Sequence, residues 1–311
     1  MGICAPRMAC AATRTATLRF ARVSSIIVRS LCLALGLLFE RMFGNPCHPV
    51  KGLVLYAGGG STVGVIANPH ILLLAGSCEA RVVAQHLSDR GAKYDAWLSE
   101  APRGAAPMPQ IPRLRRFDSA TQMQAEIMRS GARVIVDAAH VFDRNTTLRA
   151  FATAQNTGLS YLRIERLAWQ LPPSSACDHA LDVSSANAMI GAGARVFAAT
   201  GWDSLQDFST FAGEVLMLRQ TRKHERAAPY PFVRLSFDDP PFTADQEKAM
   251  FREHGIDTLV CRNLGGAASW SKVEAALDLD LRIILVDRPP LPAQLPVVSS
   301  AEEAIAWLGR L

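Results

Sequence analysis

The sequence predicts an α/β protein made of two Rossmann/flavodoxin-like domains, with mainly parallel sheets and an inter-domain cleft. Three observations carry that prediction. From His70 onward, short apolar runs alternate with stretches of helical periodicity. The runs are apolar throughout, as strands buried on both faces should be. A Pro172-Pro173-Ser174-Ser175 break then divides the alternation into two series. The expected organisation is an extension over 1–69, a first domain over 70–175 and a second over 176–311.

In the first series, Ile71 to Leu74 form a strand, and Gly76-Ser77 turn the chain. Ala80, Val83, Ala84 and Leu87 recur at helical spacing, and Gly91 stops that helix. Further strands are expected at Tyr94 to Leu98, Val134 to Val136 and Leu159 to Leu162, with helices around Thr121 to Met128 and Thr146 to Asn156. In the second series, strands are expected at Arg195 to Ala199, Glu214 to Leu218, Phe232 to Leu235, Thr258 to Val260 and Ile283 to Val286. Helices fit between them at Ser204 to Phe211, Ala244 to Glu253, Ser271 to Leu279 and Ala301 to Leu308.

The 311 residues, 49% of them hydrophobic, are enough for one large or two moderate domains and argue against global disorder. The net charge of +5 is unevenly spread. Residues 1–69 hold seven bases and one acid, Glu40. The body keeps 26 of the 33 bases and 27 of the 28 acids. A near-neutral body lacks the electrostatic footprint of a nucleic-acid binder. The longest apolar run, Leu31 to Phe39, is too short for the roughly 18 residues of a spanning helix, so no stable membrane span is expected. The leader is expected to be disordered or to reflect a start placed too early, although its spaced Arg, Ser and Thr also resemble a transit peptide. Gly58-Gly59-Gly60 fails the dinucleotide fingerprint, because the next glycine is Gly64, and is taken as a linker. Cys78, Cys177 and Cys261 are scattered through the body, which suits a reducing cytoplasm. No cysteine or histidine spacing fits zinc, so no metal site is expected.

Ligands of such folds sit beyond the carboxyl ends of the strands, so polar residues there are the candidates. Gly76, Ser77, Cys78 and Glu79 follow the first strand. The glycine lets a ligand approach the backbone, and the serine suits either a helix cap or a phosphate oxygen. Asp137 and His140 follow another strand, and a histidine there can donate a proton near neutral pH. Thr200-Gly201 form a small polar turn of the kind that grips a nucleotide. Arg262, Asn263, Gly265, Gly266 and, beyond them, Lys272 put cations, an amide and glycines at one strand end, suited to phosphate or carboxylate. Arg163 and Arg166 are placed to meet an anionic ligand, to bridge the domains, or to form a solvated ion-pair run. Cys78 and Cys261 are expected to be inert side chains, because nothing in the sequence places a base beside them.

The ordered set HILLLAGSCEA, VIVDAAHVF, LRIERLAW, VFAATG, PPFT, VCRNLGGAASWSKVEAA and VDRPPLP resembles the precorrin-6A reductase family of cobalamin biosynthesis. The resemblance covers about residues 70 to 311. It implies reduction of one ring double bond of a tetrapyrrole, precorrin-6A, to give precorrin-6B, with NADPH (NADH in some members) as hydride donor. It implies catalytic roles for Asp137 and His140. Cofactor contacts are expected at Gly76, Ser77, Cys78, Glu79, Thr200, Gly201, Asn263, Gly265 and Gly266, and substrate contacts at Arg163, Arg166, Arg262 and Lys272. The family motifs carry over onto 75–80, 137–142, 261–266 and Lys272, and the others rest on their places after strands. Transient contact with neighbouring pathway enzymes is also implied. The sequence departs from the family pattern at Ser77, Ala139, Val141, Arg262 and Leu264. The losses of a hydroxyl at Ala139 and Leu264 keep a second class open, a non-catalytic nucleotide-binding sensor or scaffold. A nicotinamide-dependent reductase of a smaller substrate is a third. For the choice of cofactor, Arg103 is placed to meet a 2′-phosphate and Glu100 a ribose hydroxyl.

Overall fold

The computed structural model describes residues 69–101, 107–221, 223–238 and 240–311. The leader over 1–69 (but for Pro69), its glycine run and Arg103 therefore lie outside the described residues.

The first sheet begins with β1 (Ile71–Ala75), β2 (Tyr94–Leu98), β3 (Arg113–Leu114), β4 (Val134–Asp137) and β5 (Ser160–Ile164). Alternate residues of β1 feed opposite cores. Ile71, Leu73 and Ala75 pack with α1 (Cys78–Asp89), whereas Leu72 and Leu74 pack with α2 (Ala120–Ser130) and α3 (Arg144–Thr157). Both faces are covered, so the period-two alternation is silent in polarity. Each fully buried Leu contributes about 1.5–3 kcal/mol to that core. Side-chain caps fix where the helices start. Ser77, Ser119 and Asp143 accept from Ala80, Gln122 and Thr146, and Gly131 and Gly158 close α2 and α3 in the left-handed conformation.

The second sheet holds β6 (Cys177–Ala180), β7 (Arg195–Ala199), β8 (Val215–Gln220), β9 (Val233–Phe237), β10 (Thr258–Arg262) and β11 (Arg282–Val286), in the order β6-β11-β10-β7-β8-β9. Every pairing is parallel. One face carries α4 (Val183–Ala188) and a 3₁₀ helix (Trp202–Phe208). The other carries α5 (Ala244–Glu253) and α6 (Ser271–Asp278). The helix expected over Ser204 to Phe211 is thus a 3₁₀ turn that starts earlier, at Trp202. The sequence reading also passed over β3, β6 and α4. These are short, and β6 (CDHA) is largely polar.

The domain boundary needs correction at the C-terminal end, because 176–311 do not form one unit. After β11 the chain returns to the first sheet, where β12 (Val297–Val298) pairs parallel with β5, giving the order β12-β5-β4-β1-β2-β3. The physical reason is the open edge of β5. Its amides at Arg163 and Glu165 donate to Pro296 and Val298, and satisfying them removes an exposed strand edge. The helix α7 (Ala301–Leu308) then lays Ala301 and Ala304 against Ala80, Val83 and Ala84 of α1. No helix among the described residues is long and apolar enough to cross a membrane.

Candidate active site

Strand order reverses direction at two places, between β1 and β4 in the first sheet and between β7 and β10 in the second. Such switch points leave a crevice beyond the strand ends. The loops at these points begin with Gly76, Ala138, Thr200 and Asn263. At the first switch point the two loops touch through backbone: a Cβ on Gly76 would stand 2.6 Å from the His140 amide nitrogen. No other residue fits there without moving the loop.

Two adjoining cavities open on these loops. The first, about 550 Å³, is lined by Gly76, Ser77, His140, Thr200, Gly201 and Arg262, among others. Sequence-predicted residues from both halves of the chain are therefore brought together. The second, about 730 Å³, lies against the ends of β8 and α6. The two share a wall of Glu100, Ala101, His140, Gly201, Trp202 and Asp203. Their charges differ. In the first, Arg81 and Arg262 face Glu100, Asp143 and Asp203. In the second, among the described residues, Arg116, Arg219, Lys223, Arg226 and Lys272 face Glu100 and Asp203.

His140 stands on the shared wall. The Phe142 amide donates to its Nδ1 at 3.3 Å, so the neutral ring carries its proton on Nε2. Ser77 caps α1 by accepting from the Ala80 amide, and it also lines the first cavity. Thr200 is buried and accepts from the Ser204 hydroxyl at 2.7 Å, which fixes the turn that presents Gly201. Arg262 lies over the Phe142 ring at 5.2 Å.

Asp137 is not positioned for catalysis. It is fully buried and lines neither cavity. One carboxylate oxygen accepts from the Ala139 amide and from Arg163 at 2.7 Å. The other accepts from the Tyr161 hydroxyl at 2.7 Å. Arg163, expected to contact substrate, is likewise fully buried in this pair. Burial alone would lower the Arg163 pKa, but Asp137 and Glu165 outweigh it and raise it. Burial, helped by Asp137, also pushes the Tyr161 hydroxyl well up. The sequence showed an acid and a base at neighbouring strand ends. It could not show that β4 and β5 pair with Asp137 beside Arg163.

A second group of expected contacts holds the segment that joins the sheets. Asn263 accepts from the Trp169 amide at 2.8 Å and donates to the Trp169 carbonyl at 3.2 Å. Its side chain is spent on that linker. Gly265 and Gly266 lack side chains because Leu167, Arg288 and Arg166 pack where a Cβ would go. Arg166 ties the halves together: it donates to Glu79 and Cys78 on one side and to the Leu264 carbonyl on the other. It therefore takes the bridging role that the sequence left as its alternative. Burial would raise the Glu79 pKa, but Arg166 outweighs it and holds the carboxyl low. Burial pushes the Cys78 thiol up and that of Cys261 up to about 12, so neither is an activated nucleophile. Cys78, Glu79, Asn263, Gly265 and Gly266 line neither cavity.

Lys272 lines the second cavity with most of its side chain buried, its Nζ donating to the Ser269 carbonyl at 2.5 Å. Burial lowers its pKa. The sequence reading missed Arg81, Trp202 and Arg219. Each had a signal. Arg81 is one turn beyond Ser77 on the same helix face, Trp202 follows Thr200-Gly201, and Arg219 follows the apolar run of β8. Among the described residues no group of His, Cys, Asp and Glu is arranged for a metal ion.

Residues 70–309 match the family model described as precorrin-6x reductase CbiJ/CobK. The precorrin-6A reductase of Rhodobacter capsulatus is 32% identical over 241 residues, which is 76% of this chain and 95% of that one. The precorrin-6A reductase of Rhodococcus erythropolis is 30% identical over 78% of this chain and 98% of its own. The solved structure of a CobK precorrin-6A reductase superposes with a TM-score of 0.72 at 29% identity, covering 78% of this chain and 96% of that one.

Proposed function

This chain belongs to the precorrin-6x reductase family, and on that footing we propose that it reduces a ring double bond of precorrin-6A, using NADPH, to give precorrin-6B. The observation that supports this reading most is the pair of cavities with His140 on their common wall. One is walled by glycine-bearing turns and a helix N-terminus, the other by cations.

The residues fit a dinucleotide in the first cavity. The bare Gly76 backbone, the α1 amides behind Ser77 and the Arg81 side chain suit a pyrophosphate. The cation-rich second cavity suits a flat macrocycle that carries several carboxylates. When bound, the reduced nicotinamide supplies a hydride to a ring carbon. The chain's own part is to hold two planar molecules face to face across the shared wall and to exclude water. The His140 imidazolium, protonated at both nitrogens, delivers its Nε2 proton to the neighbouring ring carbon. This leaves the ring neutral with its proton on Nδ1, and the Phe142 amide contact returns only when Nε2 is reprotonated and Nδ1 gives up its proton. Trp202, also on the shared wall, offers a ring on which a planar ligand can stack. The three described cysteines are free, in keeping with a cytoplasmic enzyme.

Mixing the protein with NADPH and precorrin-6A should consume the cofactor and add two hydrogens to the macrocycle. Absorbance at the nicotinamide band and the product mass read both. Folded protein that binds NADPH but never turns over would end this reading and leave the nucleotide-binding module. The Ala139 departure does not favour that module. Its side chain sits in the core beside Ile135 and Leu74, away from both cavities.

A further inference from the structure

The floor of the second cavity holds a charge arrangement that the proposed reaction does not by itself require. Arg219, at the end of β8, has a side chain only 9% exposed, yet it lines the cavity. Its Nη1 donates to Glu247 of α5 at 2.6 Å, and Glu247 is 1% exposed. The guanidinium carbon stands 4.7 Å from the centre of the Phe197 ring and 4.0 Å from that of Phe242, so the group is clamped between two aromatic faces. Lys272 reaches the same floor from α6. Among the described residues, the buried group thus sets two cations against one carboxylate. The second oxygen of Glu247 and the Nε of Arg219 are buried without hydrogen-bond partners.

A buried surplus cation is costly unless an anion meets it. Arg219 has five N–H donors in a fixed fork, and Glu247 takes one of them. We propose that Arg219 and Lys272 form a rigid carboxylate receptor on the floor of the second cavity, in which Arg219 sets the orientation of the substrate by gripping one carboxylate arm. Glu247 and the two phenylalanine rings hold the fork in place. A planar fork suits the two oxygens of a carboxylate better than a flexible ammonium would. The identity of the arm as part of a tetrapyrrole rests on the proposed reductase reading; the receptor itself does not.

The test is a binding titration without NADPH, read by quenching of tryptophan emission. The ligands are uroporphyrin, a flat ring with eight carboxylates, and its octamethyl ester. Wild type is compared with Lys272→Met, Arg219→Lys and the paired variant Arg219→Gln/Glu247→Gln, which removes both charges of the buried pair and so avoids stranding Glu247. Lys272→Met and the paired variant should each bind the acid about ten- to a hundredfold more weakly. Arg219→Lys should fall between them and wild type. The ester should bind all four proteins alike and weakly, and NADPH affinity, read by its own fluorescence, should not change. Equal binding of the acid by every variant, absence of binding by wild type, or a loss that appears for NADPH instead would overturn the receptor. Porphyrin binding as expected alongside a wild type that never reduces precorrin-6A would leave the receptor standing and end the reductase reading.

Discussion

Two buried ion clusters in this protein look alike in sequence and differ in what surrounds them. Each places an arginine at the end of a strand and a carboxylate within reach. In the first, Asp137 receives Ala139, Arg163 and Tyr161, and Glu165 receives Arg144 through both oxygens, so every carboxylate oxygen has a donor. Arg288 beside it donates to the carbonyls of Asn263 and Arg166. None of these side chains reaches either cavity. In the second, Glu247 keeps an oxygen without a donor while Arg219 and Lys272 face open space. The first has all its carboxylate oxygens met and is walled off from both cavities, although the Nη2 of Arg163 and the Nε of Arg144 are buried without partners; it holds the fold. The second is incomplete and awaits a ligand. A charged residue at a strand end is therefore not a functional signal until the partners of its carboxylate and its access to a cavity are both known.

The strongest way to break this contrast is Asp137→Asn. It takes from buried Arg163 the closer of its two counter-charges and leaves only Glu165, 3.3 Å from its Nε, so unfolding in denaturant should show a loss of about 3 kcal/mol. The folded fraction should turn over as wild type does. A variant of normal stability that has lost activity would move Asp137 back into the catalytic set. His140→Ala is expected to do the reverse, with kcat down by about a hundredfold and an unfolding midpoint close to wild type. A kcat within twofold of wild type would remove His140 as proton donor.

Acid sharpens the same comparison with a smaller effect. For Glu165, burial would raise the carboxyl pKa, but hydrogen bonds and charge from Arg144, followed by Arg163 and Arg288, lower it. Arg166 does the same for Glu79. A carboxyl whose folded pKa is lowered stabilises the protein above the unfolded value and loses that contribution as pH falls through the folded one. Thermal unfolding should therefore be flat from neutrality down to about pH 5 and decline below the ordinary carboxyl value of 4.5. Glu165→Gln should shrink the decline, and an unaltered decline in that variant would assign it elsewhere. The smallest effect is expected at the rim. Arg116 is exposed and lines the second cavity, its Nε donating to the Ser99 carbonyl. Arg116→Gln should raise the KM for the macrocycle only a few-fold, and the difference should fade in high salt.

Much of the fold could be read directly from the chain, because strands buried on both faces and capped helices leave local marks. The run Ile71 to Leu74, the Gly91 stop and the Thr243 capping box of α5 are of this kind. The strand β12 left none. Two valines near the C-terminus carry no sign of a partner more than 130 residues earlier, and only the unmet edge of β5 calls for them. The site divides the same way. Gly76, His140, Thr200, Gly201 and Arg262 follow strands at the two switch points, and position in the alternation was enough to find them. Asp137, Arg163, Asn263 and Arg166 sit in equally suggestive places, yet each is engaged by a neighbour from another element. Pairings of that range are not written in local sequence. Arg219 was missed for the opposite reason: it looks like any charged residue ending an apolar strand.

The return of the chain to its starting sheet has a consequence for biosynthesis. A protein emerges from the ribosome in order, and a domain usually folds once its own stretch is out. Here β5 waits for β12, and α1 waits for α7, until residues 297–308 have been made. The earlier sheet is thus finished after the later one, and a message cut short before residue 297 would release a product in which the half translated first is the half left incomplete.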